Sequence, residues 1–247
     1  MHPYAGLADT FRLIFYLNTK LDLSLGRETV LHLFETLQKS FPMMTDLDRL
    51  EDGEIMLDED RDQPSYRWVR LAARRLAAGY VNPPSLEEAV VLHTKVLEVA
   101  PFHLGLTGLD TDMFDVTFSF DLDFAGNHDD LVAEALGRNS AFETMLMHPL
   151  TKIVSFEPWA TIALDEECRL QFRVSIETRT TGYQIRTNQF PDSPISVHCT
   201  LRQFWSKMGT RTFSEAFDSQ REKLQELVDL HVIPNIIRPL VQAIGAR

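Results

Sequence analysis

Two cysteines, eleven glycines and the lack of any long apolar run set the first limits on this chain of 247 residues. With only Cys168 and Cys199, in separate predicted strands, there is no disulfide framework to build. Reduced thiols in a reducing compartment are expected. The apolar stretches fall short of the roughly 20 residues that span a bilayer, and no basic-then-apolar leader precedes Tyr4. A soluble, cytoplasmic protein without a membrane partner is therefore expected. Glycine does not gather into either standard phosphate loop, and no Gly-x-Ser-x-Gly elbow is present. The eight histidines show neither His-x-x-x-His nor Glu-flanked zinc spacing. No catalytic residue, metal or cofactor is assigned from the sequence. Basic residues are also short, 24 against 36 acids for a net charge of −12, which disfavours nucleic acid as a partner.

Alternation is what the sequence has in quantity. In Met113–Phe124 every even position is apolar and every odd position after Met113 is polar. A period of two buries one face of a strand and wets the other. Phe11, Leu13, Phe15 and Leu17 open an earlier strand, read over 10–23, with the same spacing. Each strand leads through a Gly-containing turn into a helical pattern. These are 27–40, with Val30, Leu33, Phe34 and Leu37 on one side, and about 127–139, capped by Asn127. Ser85 and Glu88 begin a helix whose stripe reads Val90, Val91, Thr94 and Leu97 or Glu98 and which Pro101 stops.

A short strand is expected at 54–58 after a turn at Gly53. In residues 66–81, Tyr66, Trp68 and Val69 favour strand and Ala72–Ala78 favour helix, so two short strands and a helix both stand, with the strands preferred. Further strands are expected at 153–156, 159–164, 170–176, near Tyr183 and Ile185, and at 195–205. Thr212 and Glu215 open a long last helix. The fold class is α+β. A mainly antiparallel sheet carries helices on one face, with two strand–helix units in pseudo-twofold arrangement and a long C-terminal helix. One domain is expected, its halves about 10–106 and 113–244.

Acidic charge is concentrated. Asp46–Asp62 holds nine acids against two arginines, a net of −7 out of −12. Such a segment should be exposed and mobile unless a cation holds it. Asp58, Glu59, Asp60 and Asp62, with Arg67 and Arg70 from the adjoining basic cluster, are the candidate partner-binding residues. Asp58, Asp60 and Asp62 start like a calcium loop, but Gln63 and Val69 stand where glycine and a bidentate glutamate are needed. Asp121 and Asp123, with Asp115 behind, could share a metal or a proton, or simply form a strand's wet face. His198 and Cys199 are sequential in a strand, so they point to opposite faces and form no catalytic pair. Phe118, Phe120, Trp159, Phe172, Trp205 and Phe217 are candidates for lining an apolar-ligand cavity between the sheet and the last helix.

Several features together resemble a sporadically distributed bacterial family of uncharacterised proteins of about 250 residues. These are a first strand and helix ending in Phe41-Pro42, then Tyr66-Arg67-Trp68, Gly79-Tyr80 and a helix led by Pro83-Pro84. A second strand–helix unit and a last helix opened by Phe213 complete the set. The resemblance implies a fold and no activity. The leading expectation is a soluble acidic module that binds another protein through its sheet or its acidic segment. A small-ligand binder with an apolar cavity, and an enzyme with dispersed catalytic residues, are the other readings.

Overall fold

A computed structural model describes residues 2–148, 151–205 and 212–247. The first half runs β1 (Thr10–Thr19), α1 (Arg27–Ser40), β2 (Asp46–Arg49), β3 (Ile55–Asp58), β4 (Tyr66–Ala72), β5 (Arg75–Val81) and α2 (Leu86–Leu104). The second runs β6 (Thr111–Phe124), α3 (His128–Leu136), α4 (Glu143–Leu146), β7 (Trp159–Ala163), β8 (Leu170–Glu177), α5 (Gly182–Thr187) and β9 (Ser193–Phe204). A final helix starts as α6 (Phe213–Leu227), widens into a π-helical stretch (Val228–Ile237) and ends as α7 (Arg238–Gly245).

All nine strands form one open sheet in the order β2-β3-β4-β5-β1-β6-β9-β8-β7, and every neighbouring pair is antiparallel. The order is mirrored about the β1–β6 pair. Outward lie β5 and β9, then β4 and β8, then β3 and β7, with β2 as an extra strand at one end. The helices repeat the pattern, since α1 and α3 follow the central strands and α2 and α6 follow their neighbours. The matched alternation explains the seam. Phe11, Leu13, Phe15 and Leu17 stand opposite Phe120, Phe118, Val116 and Phe114 on the face that α2 and α6 cover. This interior is filled. Phe118 and Phe120 meet Phe11 at ring-centroid distances of 5.4 and 5.3 Å, and Phe217 stacks on His93 at 5.0 Å.

Helix ends follow local chemistry. Ser85 accepts from the Glu88 amide, Asn127 from those of Asp129 and Asp130, and Thr212 and Glu215 form a capping box. Several expectations shift. The apolar stripe of α2 is Ala89, Leu92, Val96, Leu97 and Ala100, while Val91 faces solvent. Pro101 sits within its last turn, and Gly105, at φ +66°, ends the helix with its amide bonded to the Pro101 carbonyl. Pro234 and Pro239, residues expected to break or kink the last helix, leave it unbroken, and Pro234 falls in its π-helical stretch. Pro234 has no N–H to donate, and the helix passes it with the wider π turn. The first strand ends at Thr19, and residues 153–156 are irregular. The expected strand at Tyr183–Ile185 is the short helix α5, because Thr181 and Gln184 cap each other. Cys168 lies in the β7–β8 turn at φ +55°, not in a strand.

Candidate functional site

The same alternation that fills the core builds a polar surface on the other face of the sheet. Asp115, Thr117, Ser119 and Asp121 of β6 stand opposite Arg202, Thr200, His198 and Ser196 of β9. Each opposed pair closes a rung, since side chains directly across an antiparallel ladder are near neighbours. Asp115 receives a bidentate pair from Arg202, Nε at 2.8 Å and Nη2 at 2.7 Å. These bonds hold the Arg202 pKa above its ordinary value. Thr117 and Thr200 share a hydroxyl hydrogen bond of 2.9 Å. Ser196 donates to Asp121 at 2.7 Å, and Arg12 of β1 reaches the other Asp121 oxygen at 2.6 Å. Ser119 lies 3.0 Å from His198 Nδ1, and His198 Nε2 lies 3.2 Å from a Glu177 oxygen.

Towards β7 these rungs open into a groove of about 390 Å³. It is lined by Tyr16, Asp115, Thr161, Arg173, His198 and Arg202, with the hydroxyls of Thr117, Ser175 and Thr200 between them. Its one lining carboxylate, Asp115, already has both oxygens on Arg202. Arg173 has no carboxylate partner among the described residues. Its guanidinium lies 5.5 Å over the ring of Trp159, which is 68% exposed. A chain of net charge −12 thus keeps an uncommitted cation in a hydroxyl-lined groove.

Ser119, His198 and Glu177 have the connectivity of a nucleophile, base and orienting acid. Carboxylates only accept, so His198 donates from Nε2 and accepts from Ser119 at Nδ1. Ser119 is 1% exposed, however, in the middle of a central strand. The surrounding strand amides serve the ladder on both sides, which leaves no paired donors for an oxyanion. These three side chains brace the sheet.

The acidic segment is exposed over most of its length, as expected, and the strand expected at 54–58 is β3. The segment folds into the β2–β3 hairpin, with Gly53 at φ +84° in the turn. Asp58 is 2% exposed on β3 and pairs with Arg61, and burial pushes its carboxyl above the usual range. Glu59 receives both the Arg67 amide at 2.9 Å and its guanidinium at 3.0 Å. Arg67 also lies 5.2 and 4.8 Å from the Phe41 and Tyr80 rings. Arg70, on the opposite face of β4, pairs with Glu54 at 3.2 Å, and Arg75 joins the same carboxylate at 2.9 Å. Asp60 turns inward to Gln63 and the Asp62 amide, though both acids stay exposed. The six candidate partner-binding residues therefore form no single surface.

Of the cavity candidates, Phe118, Phe120, Phe172, Trp205 and Phe217 are buried on the helix side, while Trp159 lies on the opposite face at the far edge. Trp205 is packed against Phe213 at 4.7 Å. Cys199 is buried among them, and that burial pushes its thiol pKa upward, away from nucleophile chemistry. Asp121 and Asp123 do not share a ligand, since Asp121 is spent on Arg12 and Ser196. Arg173, Arg202, His198 and Thr200 were missed as a group. Their signal was the polar alternation of 170–176 and 195–205, legible as a joint surface only once β8 and β9 are known to be neighbours. No protein-family model and no curated protein matches this sequence.

Proposed function

We propose that the protein is a non-catalytic docking module that holds an extended, acidic segment of another protein on the open face of β6, β9, β8 and β7. The uncommitted Arg173, beside exposed Trp159 and above a row of hydroxyls, carries this reading. A partner carboxylate would take the fork of Arg173, and Trp159 would cover the neighbouring residue. The acidic hairpin is the weaker surface, because its best-placed carboxylates already hold Arg61, Arg67, Arg70 and Arg75. An apolar-ligand cavity is disfavoured by the close ring packing under the sheet. The two free thiols, one exposed and one buried, support a cytoplasmic setting. The order of elements supports placing the chain in the bacterial family described above, a placement that brings no activity with it.

A photo-crosslinking residue at Thr161 tests the proposal against one at Asp48 on the hairpin. In extract from the source cells, Thr161 should capture a discrete protein other than a second copy of this chain, and only that capture is scored. Capture should fall as salt rises, because screening at physiological strength acts beyond about 8 Å. It should be lost in an Arg173→Glu background. Capture from Asp48 alone, or capture at Thr161 indifferent to Arg173→Glu, would defeat the reading.

A further inference from the structure

The outer edge of β7 has no partner strand among the described residues, and all five of its residues are exposed. Edges of this kind are normally guarded by charge, proline or a covering element. Trp159-Ala160-Thr161-Ile162-Ala163 has none of these, and Ile162 is 51% exposed. Pro158 and the exposed Asp165, Glu166 and Glu167 stand just outside its two ends, not within it. Glu157 turns back to accept from Thr178 at 2.7 Å, and Asp165 accepts from the Arg169 amide at 2.7 Å.

We infer that two copies of this chain pair β7 to β7, antiparallel and centred on Thr161, so that the sheet continues from one protomer into the other. The strand's own order of sizes fixes the occupant. In this register Trp159 meets Ala163 of the second copy, Ala160 meets Ile162, and Thr161 meets Thr161. Every bulky side chain faces an alanine, and all five residues are paired. A slip of one residue would put the Trp159 face against the Ile162 face. A slip of two would leave strand ends unpaired. Within β7 there is no charge to repel a second copy, whereas beyond its ends this register sets Glu157 opposite Asp165, a like-charge contact that added salt should relieve. The hairpin at the other end of the sheet would bring a net −7 against a net −7. This inference does not depend on the groove's partner, since it concerns the protein alone.

Sedimentation of the purified full chain over a dilution series provides the test. A reversible monomer–dimer equilibrium is expected, because a five-residue strand pair lies at the small end of stable interfaces. Ala163→Trp should weaken association by at least about tenfold, since it sets two indoles against each other. Combining it with Trp159→Ala exchanges large for small at both positions and should restore the dimer. At concentrations where the parent is monomeric, both variants should keep its unfolding midpoint, which separates loss of pairing from loss of fold. In a Cys168→Ser background, Thr161→Cys should form an intermolecular disulfide on oxidation, because the twofold-related pair has the required spacing. Ala160→Cys should form little. A monomer at every concentration, a dimer indifferent to Ala163→Trp, or failure of the exchange to restore it would each overturn the inference.

Discussion

At one end of the sheet the outermost strand is Asp46-Leu47-Asp48-Arg49, and at the other it is Trp159-Ala160-Thr161-Ile162-Ala163. Both are short, exposed and hydrogen-bonded on one side only. The first sits in a hairpin in which Glu54 is anchored by Arg70 of β4 and Arg75 of β5, and whose surplus charge repels another edge. The second is neutral, and the arginine beside it, Arg173, is anchored to an aromatic ring instead of a carboxylate. In the first half charged residues are used up in holding strands together. In the second half Asp115, Asp121 and Arg202 are used in the same way, and Arg173 is left available. A cluster of charge in the sequence therefore marked the closed end, and the quieter end carries the surface with something to offer.

The comparison can be broken at the seam the halves share. Phe120→Ala removes a fully buried ring that packs on Phe11 across the β1–β6 pair, and should cost about 3–5 kcal/mol. Both ends should unfold together. Two separate transitions in denaturant would mean that the halves are independent bodies. A destabilisation under about 1 kcal/mol would mean that this face is not core.

Acid should loosen the same seam. His93 of α2 lies between Phe15 and Phe217, and burial lowers its pKa to about 4. The unfolded chain takes up this proton near pH 6.5 and the folded chain only near pH 4, so protons favour unfolding in between. Stability should fall as pH drops through that window, by about 3 kcal/mol in all for this group, and level off below it. His93→Gln should flatten that part of the profile. An unchanged slope would place the acid sensitivity elsewhere.

The sharpest contrast between the ends is a pair of arginines. Arg67→Ala strips Glu59 of its partner and uncovers Phe41 and Tyr80, and should cost about 2 kcal/mol, discounted for partial exposure. Arg173→Ala should change stability by no more than about 0.5 kcal/mol, as for an unpaired surface site. Thermal unfolding of the two variants side by side decides this. Equal costs would mean that Arg173 is structural and the groove is not free for a partner.

Strand β6 was legible because its alternation runs unbroken over a dozen residues, and α1 because Val30, Leu33, Phe34 and Leu37 recur at helical spacing. Strands β4 and β5 were only half legible, since aromatic and β-branched residues at 66–69 favoured strand while the alanines that follow favoured helix, and their pairing decides the matter. Residues 182–187 were not, since six residues are too few for a period to declare itself and the cap at Thr181 decides the outcome. The acidic segment misled for a different reason. Net charge counts acids and bases within a window, whereas Glu54 and Glu59 find their arginines in strands further along. The groove needed the most information of all. Its residues come from β1, β6, β7, β8 and β9, and only the register of the sheet says that Arg173 and Thr200 are opposite each other.

The central position of β1 also bears on how the chain is made. As synthesis proceeds, β1 can pair with β5 once residue 81 has emerged, but its other side must wait for β6 at 111–124. For that interval the nascent protein displays a ten-residue bare edge with a single charge, Arg12. That is a longer and more apolar edge than the finished molecule shows anywhere among its described residues. A ribosome carrying only the first half therefore holds a species prone to joining its neighbours on the same message. The joint it would make, β1 against a second β1, is the one that β6 completes within the full-length chain.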